Sequence, residues 1–190
     1  PTAWLSLDKG DDDLERFLLY LVAALQQVEP KLGAGLQDFL LAQRSVEAEP
    51  LIIRLINDIA GLGRDLLLVL DDYHSLSNPQ IHEAMEFFLD HIPPELALVI
   101  STRSDPPLAL SRLRVKGRLL EVRAEGLRFS VQEANAFLND RLGLQLSSKA
   151  IASLETRTEG WVAGLQLAAL SLGGRKDKEG FVAEFAGSHR

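Results

Sequence analysis

Cysteine is absent from the 190-residue sequence. Its absence excludes a disulfide framework, a thiol nucleophile and a thiolate metal site. The sequence also has no apolar run approaching the roughly 18 to 20 residues that span a bilayer, and its N-terminus has no signal-peptide pattern. We therefore expect a cytoplasmic protein with no membrane partner.

Basic residues are fewer than acidic residues in this sequence. Lys and Arg number 20 against 27 Asp and Glu, which gives a formal net charge of -7 and a pI near 5.1. A domain that binds nucleic acid by neutralising phosphates usually carries a basic face. Any DNA contact would therefore need another segment of a longer protein. The basic residues between Arg112 and Arg128 are typical of a solvated face.

One apolar run stands out, because no polar residue interrupts it. Residues 66–70 read Leu-Leu-Leu-Val-Leu and lead into Asp71 and Asp72. Such a run predicts a strand covered on both faces in a parallel sheet. The carboxyl ends of parallel strands face the ligand crevice, so the two acids lie where metal and phosphate are handled. A strand that simply ends in solvated acids explains the same pattern.

A second apolar run, residues 96–100, is followed by the polar tip Ser101 to Arg103. Between the two runs, Asn78 and Pro79 open a predicted helix that ends before Pro93, which completes a βαβ unit. Both strand tips then emerge at the same edge of the sheet. The histidines of this region, His82 and His91, lack metal-ligand spacing, and we expect both at the surface.

Further elements follow from local patterns. Before the central strand we predict a strand over 3–7, a helix after the acids 11–13, a weaker helix over 33–43 and a helix with Pro50 at its first position. After residue 100 we predict a basic helix over 108–116 and a strand over 119–122. The remaining predicted elements are a capping box at Ser130 and Glu133, helices through 137–138, over 147–156 and over 161–172, and a frayed exit at 173–179.

Five motifs occur in order along the chain: Trp4 to Asp8, Leu68 to His74, Ser101 to Leu108, Leu127 to Ser130, and Thr158 to Trp161. Together they resemble the nucleotide-binding module of the large ATP-dependent LuxR-family transcriptional regulators, in the maltose-activator-like branch of the STAND ATPases. The resemblance covers residues 1–172. It implies an α/β, P-loop NTPase-like parallel sheet over residues 1–126, incomplete here, and a small helical lid domain over 127–190, truncated here.

The resemblance also implies roles for individual residues. Asp71 matches the Walker B acid that holds Mg²⁺, and Asp72 matches the neighbouring acid that orients the attacking water. Arg103 matches the sensor arginine for the γ-phosphate, although pairing with Asp71 or Asp105 is the expectation for this chain alone. The run Gly160, Trp161 and Val162 matches the lid motif Gly-x-Pro on the adenine side, with Val162 in place of proline.

The phosphate-binding motif Gly-x-x-x-x-Gly-Lys-Ser/Thr is missing from the 190 residues. We therefore expect a fragment of a longer regulator that lacks the P-loop upstream, and the inducer sensor and the DNA-binding helix-turn-helix downstream. The resemblance implies ATP or ADP and Mg²⁺ as cofactors of the longer protein, which would be a slow ATPase switch. The fragment itself should not bind nucleotide tightly. A non-catalytic scaffold or protein-interaction module remains the alternative.

The missing P-loop strand leads to a prediction about the sheet. In the family it lies between the strand that ends near Arg103 and the strand predicted over 119–122. Without it, we expect three to four strands in the order Trp4, Asp71, Arg103, with the strand over 119–122 displaced or paired to a neighbour. Because exposed strand edges template association, we expect self-association in solution.

Overall fold

The computed structural model describes residues 1–36, 47–175 and 177–187, with the side chains of 184–187 left out. It divides the chain into two compact units, Pro1–Leu119 and Leu120–Arg190, which are described separately below. The assignment of residues 1–126 to a nucleotide-binding core and of 127–190 to a lid stays a prediction.

Unit 1 is built on a parallel three-stranded sheet. Strands β1 (Thr2–Ser6), β2 (Leu66–Asp71) and β3 (Leu96–Ile100) lie in the order β1-β2-β3, with β2 in the centre. Trp4, Val69 and Val99 stand side by side in register. The predicted strand order is confirmed, and the carboxyl ends of all three strands meet at one edge.

Helices connect the strands of unit 1. They are α1 (Leu14–Gln26), α2 (Ala48–Ala60), α3 (Pro79–Asp90) and the short α4 (Leu110–Val115). Asn78 caps α3 by accepting a hydrogen bond from the Gln80 amide, with Pro79 at the first helical position as predicted. Helix α2 begins two residues earlier than predicted, so Pro50 is its third residue. The first-turn amides have no intrahelical acceptor, which is why proline is tolerated there. Most of the helix predicted over 33–43 lies outside the described residues.

The helices cover only one face of the sheet in the described part of the chain. Ala3, Leu5, Leu68 and Leu70 point into the core that α1, α2 and α3 complete. On the opposite face, Val69 is 5% exposed but lies outside that core, between Trp4 at 59% and Val99 at 46%. Val69 itself is buried, as the prediction requires, but the face around it is only partly covered in the described part of the chain.

The strand predicted over 119–122 is not present. Residues 118–123 have no regular structure, and Leu120 and Val122 are 88% and 65% exposed. A strand needs a neighbour to receive its hydrogen bonds, and the apolar alternation alone does not supply one.

Unit 2 is helical. Its elements are α5 (Ala124–Leu127), α6 (Val131–Asn135), which continues into a π-helical turn over Ala136–Arg141, α7 (Ser148–Thr158), α8 (Val162–Leu172) and α9 (Lys178–Gly187). The predicted capping box is present, because Ser130 accepts from the Glu133 amide while Glu133 accepts from the Ser130 amide. Helix α9 begins at Lys178, near the end of the predicted frayed exit, and the described residues of 173–177 have no regular structure. No helix among the described residues of the chain is long and apolar enough to cross a membrane.

Candidate functional site

The carboxyl edge of the sheet brings an aspartate and a serine together. Asp71 is the last residue of β2, and Ser101 directly follows β3. The Ser101 hydroxyl donates a short hydrogen bond to Asp71 Oδ1, and the Asp72 amide donates to the same oxygen at 3.1 Å. The Leu7 amide donates to the Asp71 carbonyl at 2.9 Å, which ties the tip to the chain beyond β1. The Asp71 carboxylate is therefore held in one orientation.

Asp72 has a strained backbone. Its φ of 57° and ψ of 39° place it in the left-handed region, which few residues other than glycine adopt. The conformation is held from both sides, because the Asp72 amide also lies 3.2 Å from Ser101 Oγ and the Tyr73 amide donates to the Ser101 carbonyl at 2.9 Å. Its side chain is 54% exposed, with His74 Nδ1 at 3.7 Å from Oδ1. Strain of this kind clusters at functional sites.

A buried pair anchors the turn that follows Asp72. Tyr73 is fully buried, and its hydroxyl is hydrogen-bonded to Nδ1 of His82 on α3 at 3.0 Å. The prediction that His82 lies at the surface is wrong, since only 8% of it is exposed. Burial raises the pKa of Tyr73, and the charge of Glu86 adds to the effect. Burial lowers the pKa of His82, although the charges of Asp12 and Glu86 act in the opposite direction.

Asp12 ties the start of α3 to the segment before α1. Its carboxylate accepts hydrogen bonds from the Ser77 amide at 2.7 Å, the Ser77 hydroxyl at 2.5 Å and the Asn78 amide at 2.7 Å. Partial burial alone would raise the pKa of Asp12, but these hydrogen bonds outweigh it and the pKa is lowered. This carboxylate fixes the far end of the turn that begins at Asp72.

Arg103 lies three residues beyond β3, at the same edge as Asp71 and Asp72. Its guanidinium is exposed and has no hydrogen-bond or ion-pair partner within residues 1–36, 47–175 and 177–187. The expected pairing with Asp71 or Asp105 is therefore wrong. An unpaired guanidinium beside a carboxylate tip is suited to an anion such as a phosphate.

The tip offers oxygen ligands to a metal without forming a cage. Asp71, Asp72 and Ser101 supply two carboxylates and a hydroxyl, which suit a hard cation. No group of three or more His, Cys, Asp or Glu side chains within the described ranges could hold a metal alone. Mg²⁺ is typically held by one or two carboxylates together with substrate phosphates. These residues fit a Mg²⁺ ion that arrives with a phosphate ligand.

The three remaining predicted site residues lie in unit 2. Gly160 has a φ of +70° and its carbonyl accepts from the Phe129 amide at 2.7 Å. A Cβ on Gly160 would lie 2.4 Å from the Phe129 carbonyl oxygen, so packing by itself accounts for this glycine. Trp161 caps α8 and Val162 is its first residue, each 41% exposed. The family's proline would occupy that first helical position, where proline is favoured.

Acidic partners hold several of the basic residues between 112 and 128. Arg112 and Lys116 both approach Asp90, at 2.5 Å and 3.9 Å, and Arg128 pairs with Glu159 at 3.1 Å. These pairs support the solvated-face interpretation over a nucleic-acid surface.

The sequence did not predict that Ser101 contacts Asp71, nor that Tyr73 and His82 form a buried pair. Ser101 touches Asp71, and the signal available was its position directly after an apolar strand. The pairing of Tyr73 with His82 had no comparable signal, because nine residues separate them and only the packing of α3 brings them together.

Comparisons with curated proteins find similar transcriptional regulators. The chain is 39% identical over 168 residues to the HTH-type transcriptional regulator MalT of Klebsiella pneumoniae subsp. pneumoniae, and 40% identical over 168 residues to that of Cronobacter sakazakii. The aligned part is 88% of this chain and 19% of each regulator, so the chain spans about a fifth of the length of these relatives. No protein-family model matches.

Proposed function

We propose that this chain is the Walker B and sensor part of an ATP-dependent transcriptional regulator, in which ATP or ADP binding sets the signalling state. The observation that carries the proposal is the carboxyl edge of the sheet, where Asp71, the strained Asp72 and Arg103 emerge, and Arg103 has no partner among the described residues. The similarity to regulators of that type supports the same assignment.

Each residue of the tip has a role in the proposal. Asp71, oriented by the Ser101 hydroxyl, holds Mg²⁺ together with nucleotide phosphates. Asp72 accepts a hydrogen bond from the attacking water, since its side chain is 54% exposed. Arg103 binds the γ-phosphate, since a guanidinium matches phosphate oxygens in a bidentate contact. Mg²⁺ supplies charge neutralisation when it is bound.

Residues outside this chain complete the proposed site. The phosphate cradle of backbone amides with its lysine does not occur in the 190 residues, so it belongs to another part of the longer protein. For the run Gly160, Trp161 and Val162, a role in adenine contact is supported by the match to the lid motif alone. DNA and inducer contacts belong to further segments, and ATP hydrolysis by the longer protein is slow and resets the switch.

The role of Asp72 is tested by Asp72→Asn in the longer protein. We expect nucleotide affinity within about threefold of wild type and hydrolysis slowed by roughly 100-fold or more, because a general base or water-positioning group contributes about that much. Asp13→Asn is the matched control, since asparagine caps α1 as well as aspartate does. Loss of affinity with unchanged turnover of bound ATP would contradict the assignment.

Arg103→Ala tests the sensor role. We expect the longer protein to lose much of its preference between ATP and ADP, measured by competitive binding, while Arg64→Ala, which breaks the exposed pair with Glu29, leaves that preference unchanged. Identical preference before and after Arg103→Ala would remove the sensor assignment and favour a scaffold.

The 190-residue chain alone provides a third test. Titration with Mg-ATP in a calorimeter should give no saturable heat, because the phosphate cradle normally supplies most phosphate contacts. An isotherm with a micromolar dissociation constant would show that the chain binds nucleotide without the phosphate cradle.

A further inference from the structure

His74 carries a buried ring nitrogen that has no hydrogen-bond partner. The residue lies in the short 3-10 turn Tyr73–Ser75 that follows Asp72, and 23% of its side chain is exposed. Its Nδ1 atom is nevertheless buried and makes no hydrogen bond within the described parts of the chain. Buried polar atoms without a partner are rare in native proteins, and they mark places of strain, catalysis or ligand binding.

The buried nitrogen faces the Asp72 carboxylate. His74 Nδ1 lies 3.7 Å from Asp72 Oδ1, which is longer than a hydrogen bond. A water molecule that bridges two polar atoms by ordinary hydrogen bonds holds them about 4.5 Å apart, so the gap suits a direct contact. The Asp72 side-chain oxygens accept no hydrogen bond from the described residues. His74 is therefore the side chain placed to orient them.

The backbone fixes both residues of the pair. The Ser75 amide donates to the Asp72 carbonyl at 2.9 Å, which closes the turn around His74. Tyr73, between the two residues, is anchored through its hydroxyl to the buried His82. Because the turn is held in this way, a small rotation of the two side chains is enough to close the gap without a backbone movement.

The chemistry of the contact specifies where the imidazole carries its hydrogen. A carboxylate only accepts hydrogen bonds, so Nδ1 must carry the hydrogen, and a neutral imidazole meets this requirement. A hydrogen bond to Oδ1 of Asp72 leaves Oδ2 free to accept from a water molecule. Hydrogen bonds in unliganded catalytic sites are often long and shorten when the substrate binds.

We propose that His74 is a positioning residue that orients the Asp72 carboxylate through an Nδ1–H hydrogen bond. This role rests on the proposed function, in which Asp72 accepts a hydrogen bond from the attacking water. His74 does not touch the nucleotide and acts through Asp72 alone. Ser101 orients Asp71 in the same manner, so each acid of the tip has its own side-chain donor.

NMR of the 190-residue chain, with nitrogen-15 in its imidazoles, tests the contact in the absence of nucleotide. At about pH 8, where an ordinary imidazole is neutral, His74 should carry its hydrogen on Nδ1. In Asp72→Gly it should change to the Nε2 tautomer that free histidine prefers. Glycine readily adopts a φ of 57° and a ψ of 39°, so this variant removes the carboxylate and keeps the turn.

His91 is the internal control for the NMR measurement. Its Nδ1 lies 2.8 Å from the Phe87 carbonyl oxygen, so it should carry its hydrogen on Nδ1 with and without the Asp72 carboxylate. An Nε2 tautomer of His74 in the wild-type chain would overturn the proposal. So would a His74 tautomer that Asp72→Gly leaves unchanged.

Two substitutions of His74 test the functional consequence in the longer protein. Leucine and asparagine have nearly the same shape, but only asparagine can place an N–H where Nδ1 lies. His74→Leu should slow the hydrolysis of bound ATP about tenfold with nucleotide affinity within about twofold of wild type, and His74→Asn should retain most of the rate. His91→Leu, at an exposed histidine, is the matched control and should leave hydrolysis unchanged.

A double variant distinguishes failure of this role from failure of the proposed function. With Asp72→Gly in place, His74→Leu should change the rate by less than about twofold, because no carboxylate is left to orient. If His74→Leu leaves hydrolysis unchanged, or slows it equally in both backgrounds, His74 does not position Asp72 and the proposed function stands. If Asp72→Gly itself leaves hydrolysis unchanged, the proposed role of Asp72 fails and the role of His74 fails with it.

Discussion

Gly160 illustrates how one position is constrained by a contact far along the chain. It combines a φ of +70° with the close approach of the Phe129 backbone. Gly160→Ala should lower the free energy of unfolding of unit 2 by about 2 to 4 kcal/mol, since left-handed strain and a backbone clash add. Gly143→Ala is the control, because Gly143 has a φ of +66° but open space around it, and should cost only about 1 kcal/mol. Equal losses in urea denaturation would contradict this account.

The hydrogen bond between Tyr73 and His82 should be measurable. Tyr73→Phe removes the hydroxyl and leaves Nδ1 of His82 buried without that partner. The expected loss of unfolding free energy is about 1 to 2 kcal/mol. Tyr20→Phe, at a 42% exposed tyrosine, should change it by less than about 0.5 kcal/mol. Chemical denaturation at pH 7.5 measures both, and equal effects would show that the pair is unimportant.

The same pair makes stability depend on pH. Because burial lowers the folded-state pKa of His82, the unfolded chain binds more protons near neutral pH. Stability from this group is complete above the unfolded pKa of about 6.5 and falls as the pH drops below it. The folded-state pKa of Asp12 is also lowered, so the protein loses further stability at more acidic pH, where Asp12 becomes protonated. His82→Gln should flatten the decline between about pH 6.5 and 5; an unchanged slope would contradict the assignment.

At the scale of elements, local signals predicted most helix starts. The cap and proline of α3 and the capping box of α6 act within a few residues, so their chemistry is complete in the sequence. The strand predicted over 119–122 failed because pairing is not local: an alternating apolar pattern needs a neighbouring strand, and none pairs with it among the residues described.

Helix α8 offers a prediction that depends on its first turn alone. Val162 occupies the first position, its amide has no hydrogen-bond partner among the described residues, and Trp161 has φ −70° and ψ 121°, which proline requires of the residue before it. Val162→Pro should therefore stabilise unit 2 by about 0.4 to 1 kcal/mol. Leu170→Pro, in the helix interior, should cost about 3 kcal/mol or more. Thermal denaturation that finds Val162→Pro destabilising would contradict the cap geometry.

At the scale of the whole molecule, the division into two units predicts where the chain is cut. Residues 118–123 have no regular structure and Leu120 is 88% exposed. Exposed irregular segments are preferred sites of proteolysis. Brief trypsin treatment should cleave first after Lys116, Arg118 or Arg123 and leave two persistent fragments, identified by mass spectrometry. First cleavage inside α1 or α7 would show that the units are not separately compact.

The sequence by itself determined the α/β character of unit 1, the βαβ unit of β2 and β3 and the acidic tip, because apolar runs, caps and strand ends are local. The place of β1 in the strand order came from the family resemblance. The sequence also predicted Asp71, Asp72 and Arg103 as the candidate site. Only the tertiary structure decided that Ser101 orients Asp71, that His82 is buried against Tyr73 and that Gly160 meets Phe129. It also decided that Trp4 and Val99 flank the buried Val69 as exposed residues and that α8 leaves Leu167 and Leu170 exposed. Those contacts join residues distant in sequence, and burial depends on what packs against an element rather than on the residues it contains.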